Sequence, residues 1–329
     1  MEILLASPRG YCAGVDRAID VVRIALELYG PPVYVRHEIV HNRHVVDSLR
    51  ERGAVFVDEI SAVPEGSVVV FSAHGVAPTI RSEARERKLR AIDATCPLVT
   101  KVHLEALRFA KAGYQIVLIG HAGHAEVEGT MGEAPDAMIL VQTLEDVERL
   151  EVRDPARLAY LTQTTLSVDE TAAILDALKQ KFPAIRGPAR EDICYATTNR
   201  QAAVRELAAA CDLVLVVGSP TSSNSNRLRE VAEKCGAESH LVESVADVRE
   251  EWLTGKRAVG VTAGASTPEH LVQELVEWLR TRGGSEARDL VAVPEEMFFH
   301  LPSDLAKDLE SSGRAPDVLA ESGRTLRNR

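Results

Sequence analysis

Short runs of β-branched residues that break into a polar loop and then a helix-patterned stretch recur along almost the whole chain. "SVVVF" (67–71), "QIVLIG" (115–120), "LVLVVG" (213–218) and "AVGVTAG" (258–264) are the clearest. Strands that alternate with helices in this way imply a mainly parallel sheet. The helix signals agree. Ser167 and Glu170 form a capping box ahead of a helix over 168–182, and Thr267-Pro268 puts proline at a first helical position. Gly30, Gly53 and Gly113 stand where C-terminal caps belong. The fold class is α/β.

Aligning the chain on three cysteines exposes a repeat. Cys12, Cys96 and Cys194 are each followed by a helix, a strand and a polar loop, which holds His41, His124 and Ser222-Ser223-Asn224 respectively. Those loops begin 29, 28 and 28 residues after their cysteine. A second strand and loop follow, holding His74, Thr164 and Ser266 at 62, 68 and 72 residues. Residue identity between units is low, so this is a repeat of pattern with the period of a small domain. The reading divides the chain into 1–13 (a strand and the first cysteine), α/β domains at 14–96, 97–194 and 195–282, and 283–329. In that last segment "EEMFFHLP" is expected to add a strand, and "SSGRAPDVLAESGRTLRNR" to be a disordered tail. Ligands of open α/β sheets gather beyond the carboxyl ends of strands. Three similar domains in a trilobed, pseudo-threefold arrangement would aim six loops and three cysteines at one central cavity.

Composition narrows the function. With 38 basic and 49 acidic residues the net charge is −11, which argues against general nucleic-acid binding. No stretch reaches the roughly 18 apolar residues of a membrane span. The N-terminal "MEILLASPRGYCAG" lacks the basic and long apolar regions of a secretion signal. Five cysteines without a CxxC pair then point to a reducing cytoplasm.

A lone cysteine is most often a small core residue, which suits Cys211 and Cys235. Cys12, Cys96 and Cys194 instead follow strand-like runs among Gly, Thr, Pro and Asn, and Pro97 after Cys96 is a neighbour of some cluster ligands. Three thiolates would hold either zinc with an open position or an iron–sulfur cluster with one iron lacking a protein ligand. "VGSPTSSNSNRLRE" and "AGASTPEH" read as strand, hydroxyl-rich turn and helix start, a design that holds phosphate through backbone N–H groups. "IGHAGHAEVEG" (119–129) looks at first like a self-contained metal site built from His121, His124, Glu126 and Glu128. Its place in the repeat makes it a substrate loop instead, with His121 and Glu128 in supporting roles.

The motifs "PRGYCAGVDRAI", "VRHEIVHN", "SAHGV", "DATCPLVTKVH", "GHAGHAEVEGTMG", "TQTTLSVDET", "DICYATTNRQ", "VVGSPTSSNSNRL" and "VTAGAS" run in order from residue 1 to about 280. In them the chain resembles the 4-hydroxy-3-methylbut-2-enyl diphosphate reductase family, the last enzymes of the methylerythritol phosphate route to isoprenoids. The resemblance implies a trilobed fold around a [4Fe–4S] cluster on Cys12, Cys96 and Cys194, whose unligated iron can be lost to leave [3Fe–4S]. It further implies diphosphate contacts from His41, His74, His124, Thr164, Ser222, Ser223, Asn224 and Ser266. Glu126 would be the proton donor, with Thr164 relaying or orienting the proton. The implied reaction is reductive dehydroxylation of the allylic diphosphate to isopentenyl and dimethylallyl diphosphates, with ferredoxin or flavodoxin as electron donor. Two other classes fit the bare pattern: a zinc hydrolase with Glu126 as general base, and a non-enzymatic iron–sulfur sensor. The sensor would need a DNA- or partner-binding motif, and none is evident.

Overall fold

A computed structural model describes residues 1–313. Among them, three sheets carry every strand, and the strands of each pair in parallel. The chain opens with β1 (Glu2–Ser7) and α1 (Ala13–Tyr29). Next come β2 (Val33–Arg36), α2 (Arg43–Glu51), β3 (Ala54–Val57), β4 (Val68–Phe71), α3 (Pro78–Glu86) and β5 (Arg90–Asp93), whose strands pair in the order β3-β2-β4-β5. α4 (Pro97–Lys111), β6 (Gln115–Ile119), α5 (Ala125–Met131), β7 (Met138–Val141), α6 (Leu144–Arg149) and β8 (Leu158–Thr162) build a second sheet, β7-β6-β8. After α7 (Val168–Lys181) and α8 (Tyr195–Ala210), the third sheet contains β9 (Leu213–Val217), β10 (Glu238–Val242), β11 (Ala258–Ala263) and β12 (Ala287–Val291). Its order is β10-β9-β11-β1-β12. The helices α9 (Ser223–Lys234), α10 (Glu269–Arg280) and α11 (Ser303–Ser311) complete the elements.

The three sheets share one pairing rule. In each, the first strand lies between the second and the third, as β3-β2-β4, β7-β6-β8 and β10-β9-β11. A fourth parallel partner then flanks the third strand: β5 beside β4, a single bridge of Arg186 to Ala159 of β8, and β1 beside β11. The third sheet therefore takes its fourth strand from the start of the chain. The residues fall into two compact units, one of Met1–Cys12, Thr164–Ala173 and Ile193–Met297, the other of Ala13–Gln163, Ile174–Asp192 and Phe298 onward.

Alternation along β1 explains how its sheet is held. Ile3 and Leu5 pack in one core with Leu271, Val272, Leu275, Val276 and Leu279 of α10. Leu4 and Ala6 face the opposite core, with Val204 and Leu207 of α8 and Leu228 and Val231 of α9. Successive strand residues point to opposite faces, so an apolar run with no polar interruption is what a doubly covered sheet requires. All five residues of β9 are buried. Gly260 in β11 allows α8 close approach, because a Cβ there would meet Leu207 Cγ at 2.6 Å. In the second sheet, Val102, Ala106 and Phe109 of α4 lie on Ile116 and Leu118, with Val127 of α5 in the same core.

The caps hold with two adjustments. Gly30, Gly53 and Gly113 all have positive φ. Ser167 Oγ accepts the Glu170 N–H, but the Glu170 carboxylate turns to Arg227 and Lys234, so the box is one-armed. Pro268 has extended ψ and is itself the N-cap, one position before the first helical residue Glu269. The C-terminal segment departs further from expectation. Its strand is Ala287–Val291, whereas "EEMFFHLP" (295–302) is irregular: Pro294 cannot donate to a ladder, and Glu295 turns to Arg200. Helix α11 then buries Leu305 and Leu309. The expected disordered tail begins inside that helix and otherwise lies, from residue 314, outside the described residues. Among the described residues no helix is long and apolar enough to cross a membrane.

Candidate active site

Of the residues expected to form the site, all but Cys194 follow the carboxyl end of a strand; Cys194, expected after a strand-like run, comes instead after α7 and an irregular stretch with a single bridge at Arg186. His41 and His74 come after β2 and β4, Cys96 after β5, His124 and Glu126 after β6, and Thr164 after β8. Ser222, Ser223 and Asn224 come after β9, Ser266 after β11 and Cys12 after β1. By unit, His41, His74, Cys96, His124 and Glu126 belong to one, and Cys12, Thr164, Cys194, Ser222, Ser223, Asn224 and Ser266 to the other.

The three cysteines have one local design. Each directly precedes a long helix, Cys12 before α1, Cys96 as N-cap of α4 and Cys194 as N-cap of α8. Each also donates its backbone N–H to the second loop of a sheet: Cys96 to Ala73 O at 3.0 Å, Cys194 to Thr164 O at 3.1 Å, and Cys12 to Ala265 O at 3.2 Å. The positive end of a helix dipole favours negative charge on sulfur, the form a metal ligand needs. All three are partly buried and none is in a disulfide. The other two cysteines differ from them and from each other. Cys211 sits in the α8–sheet core, where burial pushes its thiol up to about 12. Cys235 caps the C-terminus of α9 and is exposed, which corrects its reading as a core residue.

His41, His74 and His124 converge. The rings of His41 and His74 stack with centroids 4.2 Å apart, and His124 stands edge-on to both at 5.2 and 5.5 Å. Their ligating nitrogens all lie within 4.8 Å of one another. Burial, and then the neighbouring rings, hold His74 well below the usual imidazole range and His124 at about 3. These two rings are therefore neutral near pH 7, and neutral imidazoles can hold either a metal or, through ring N–H groups, an anion. A hydrogen bond favours the anion at His124. As N-cap of α5 its Nδ1 accepts the Glu126 N–H at 3.1 Å, so Nε2 carries the proton and is a donor. His74 Nε2 is buried without a protein partner. The Nδ1 of His41 meets Glu38 Oε2 at 3.2 Å.

Glu126 is 2% exposed in the first turn of α5, directly behind the triad in sequence. Of its neighbours, His121 meets Gln163 Oε1 through Nδ1 and its backbone N–H, and Glu128 is exposed. On the other unit Ser222 caps α9 by accepting the Ser225 N–H, and Ser223 Oγ donates to Thr165 O at 3.0 Å. Asn224 Oδ1 accepts the Ala265 N–H at 2.9 Å, which ties the first loop of that sheet to the second. Asn224 Nδ2 is left buried without a protein partner. A buried donor of this kind costs free energy unless a ligand or water takes it.

Several contributors escaped the sequence reading. Glu38 lies three residues before His41 and orients it. Gly75, at φ +83°, leaves room beside His74 for the buried His103, whose Nδ1 meets Glu133 Oε1 at 2.8 Å. The i,i+3 spacing of Glu38 and His41 was available in the sequence; the His103 contact joins distant segments and was not.

Parallel sheets with donors, thiols and a buried acid at their strand ends place the chain among α/β enzymes that take their ligand beyond the sheet. The LytB protein family model matches residues 3–280, and the chain belongs to that family. It is 59% identical to 4-hydroxy-3-methylbut-2-enyl diphosphate reductase of Alcanivorax borkumensis, over 93% of this chain and 99% of the relative. The enzyme of that name from Methylococcus capsulatus is 57% identical over the same shares. Among solved structures, the E-1-hydroxy-2-methyl-but-2-enyl-4-diphosphate reductase from Plasmodium falciparum superposes with a TM-score of 0.90 at 39% identity, covering 95% of this chain and 99% of that one. This chain is accordingly a reductase.

Proposed function

We propose that the chain reduces (E)-4-hydroxy-3-methylbut-2-enyl diphosphate to isopentenyl and dimethylallyl diphosphates, consuming two electrons and two protons and releasing water. The observation that carries the reading is the histidine triad, neutral at His74 and His124, with its ring donor at His124 and an acid two residues further on. His41, His74 and His124 hold the diphosphate through ring N–H groups, joined by Thr164, Ser222, Ser223, Asn224 and Ser266. The orphaned Nδ2 of Asn224 and Nε2 of His74 support those roles.

Cys12, Cys96 and Cys194 hold a [4Fe–4S] cluster with one iron free of protein ligands. The donor set fits: three part-buried, disulfide-free thiols, each at a helix start. When bound, that group supplies the electrons and a Lewis-acidic iron for the substrate hydroxyl. Hydroxide is a poor leaving group, so the oxygen must gain a proton as carbon–oxygen bond cleavage proceeds. Glu126 delivers it, and Thr164 orients the hydroxyl that receives it. Burial keeps the Glu126 carboxyl itself out of bulk water. A ferredoxin or flavodoxin supplies the electrons.

Anaerobic purification with iron and sulfide analysis, then turnover of the allylic diphosphate with a chemical reductant, tests the reading. Colourless zinc protein that releases phosphate would replace it with a hydrolase. Cluster protein that binds the diphosphate without converting it would make the chain a sensor.

A further inference from the structure

We propose that Arg17, Lys101 and Arg200 are positioning residues that fix the three cysteine segments, each acting from the helix that another of the cysteines begins. Arg17, on α1 behind Cys12, donates from Nη1 to Ala94 O at 3.1 Å and Thr95 O at 3.0 Å, immediately before Cys96. Lys101, on α4 behind Cys96, donates to Arg190 O and, at 2.7 Å, to Glu191 O on the approach to Cys194. Arg200, on α8 behind Cys194, donates to Gly10 O at 2.8 Å and Tyr11 O at 3.2 Å, immediately before Cys12. The cations stand five, five and six residues after their cysteines. Each contact lies within one compact unit.

Each cation also takes a further oxygen. Arg17 Nε donates to His300 O at 2.6 Å, Lys101 Nζ to Asp192 Oδ1 at 2.9 Å, and Arg200 pairs with Glu295 at 3.1 Å. His300 and Glu295 come from the segment after residue 283, beyond the span matched by the family model. That segment thus completes two of the three clamps. Arg17 is 7% and Arg200 0% exposed, a costly location for guanidinium unless its donors are all engaged. Backbone carbonyls held by charge-assisted bonds cannot relax freely, so the thiols that follow them stay in place when a ligand is lost. Three cations also favour three thiolates.

The proposal rests on the cluster reading above, and one experiment separates the two. Holoenzymes of wild type, Lys101→Met, the double variant Lys101→Met/Asp192→Asn, Arg17→Lys, Arg200→Lys, Cys96→Ser and the surface control Arg108→Ala are purified anaerobically. Iron release to a chelator and the reduction midpoint are then measured beside the far-UV dichroism. The clamp variants should release iron about tenfold faster than wild type, the factor for one charge-assisted hydrogen bond. Lys101→Met, which also loses a positive charge, should shift the midpoint negative, whereas the double variant, in which loss of the Asp192 charge offsets loss of the Lys101 charge, and the Arg→Lys variants should not. The double variant leaves no buried carboxylate unpaired and keeps the test valid should Lys101→Met fold poorly. Iron release at the wild-type rate in the folded clamp variants, with Cys96→Ser depleted of iron, overturns the proposal alone. Full iron content in Cys96→Ser overturns the cluster reading beneath it.

Discussion

Acidification should destabilise this protein through its histidine triad, and the size of the effect can be worked from His124. Its ring is held at about 3 in the folded protein against an ordinary 6.5, chiefly by burial. A depressed folded value means the native state prefers the neutral ring. The associated stability is complete above 6.5 and is lost as pH falls toward 3, at about 1.4 kcal/mol per pH unit. At pH 5 the loss is about 2 kcal/mol, a large share of a typical margin. His74 adds in the same direction. The comparison variant is His124→Asn, since asparagine is a good N-cap and can keep the bond from the Glu126 N–H while removing the titration. Urea unfolding from pH 7.5 to 5 should show wild type losing about 2 kcal/mol more than the variant. Saturating inorganic diphosphate should flatten the wild-type slope, because an adjacent anion favours the charged ring. Identical slopes for the two proteins would refute the reasoning.

If Glu126 is the proposed acid, Glu126→Gln should bind inorganic diphosphate and keep the visible absorption of the proposed cluster while turnover falls at least about 100-fold, the usual scale of a lost general acid; product assays at saturating substrate check this. Gly75→Ala places a Cβ 3.0 Å from His103 Cε1 at φ +83°, so urea unfolding should show a loss of about 1–3 kcal/mol, and calorimetry weaker diphosphate binding beside His74. Glu295→Ala leaves the fully buried Arg200 without its carboxylate and should cost about 3–5 kcal/mol by the same urea measurement. Cys235→Ser should leave iron content unchanged, since that thiol is exposed at the far end of α9, whereas Cys96→Ser should deplete it.

The repeat was legible because strand runs, loops and cysteines recur locally, and a loop's polar residues declare themselves without knowledge of the pairing. The pairing order was not legible. That β1 serves as fourth strand of the last sheet depends on contacts across more than 250 residues, which no local pattern encodes. The misplaced strand has a local cause: β12 is an edge strand with Arg288 and Asp289 exposed, so its apolar signal is weaker than that of Met297-Phe298-Phe299. Met297 and Phe298 are exposed instead. Helix α11 was readable from Pro302 and the Leu305–Leu309 spacing but was passed over in a polar segment. The clamps of Arg17, Lys101 and Arg200 end on backbone carbonyls, which every residue carries, so sequence shows only the cations.

The central claim is most directly tested by anaerobic incubation of the iron-loaded protein with (E)-4-hydroxy-3-methylbut-2-enyl diphosphate and a low-potential reductant. The account predicts isopentenyl and dimethylallyl diphosphates, formed with two electrons consumed per substrate. Unchanged substrate, or release of inorganic phosphate or diphosphate from protein of full iron and sulfide content, would contradict it.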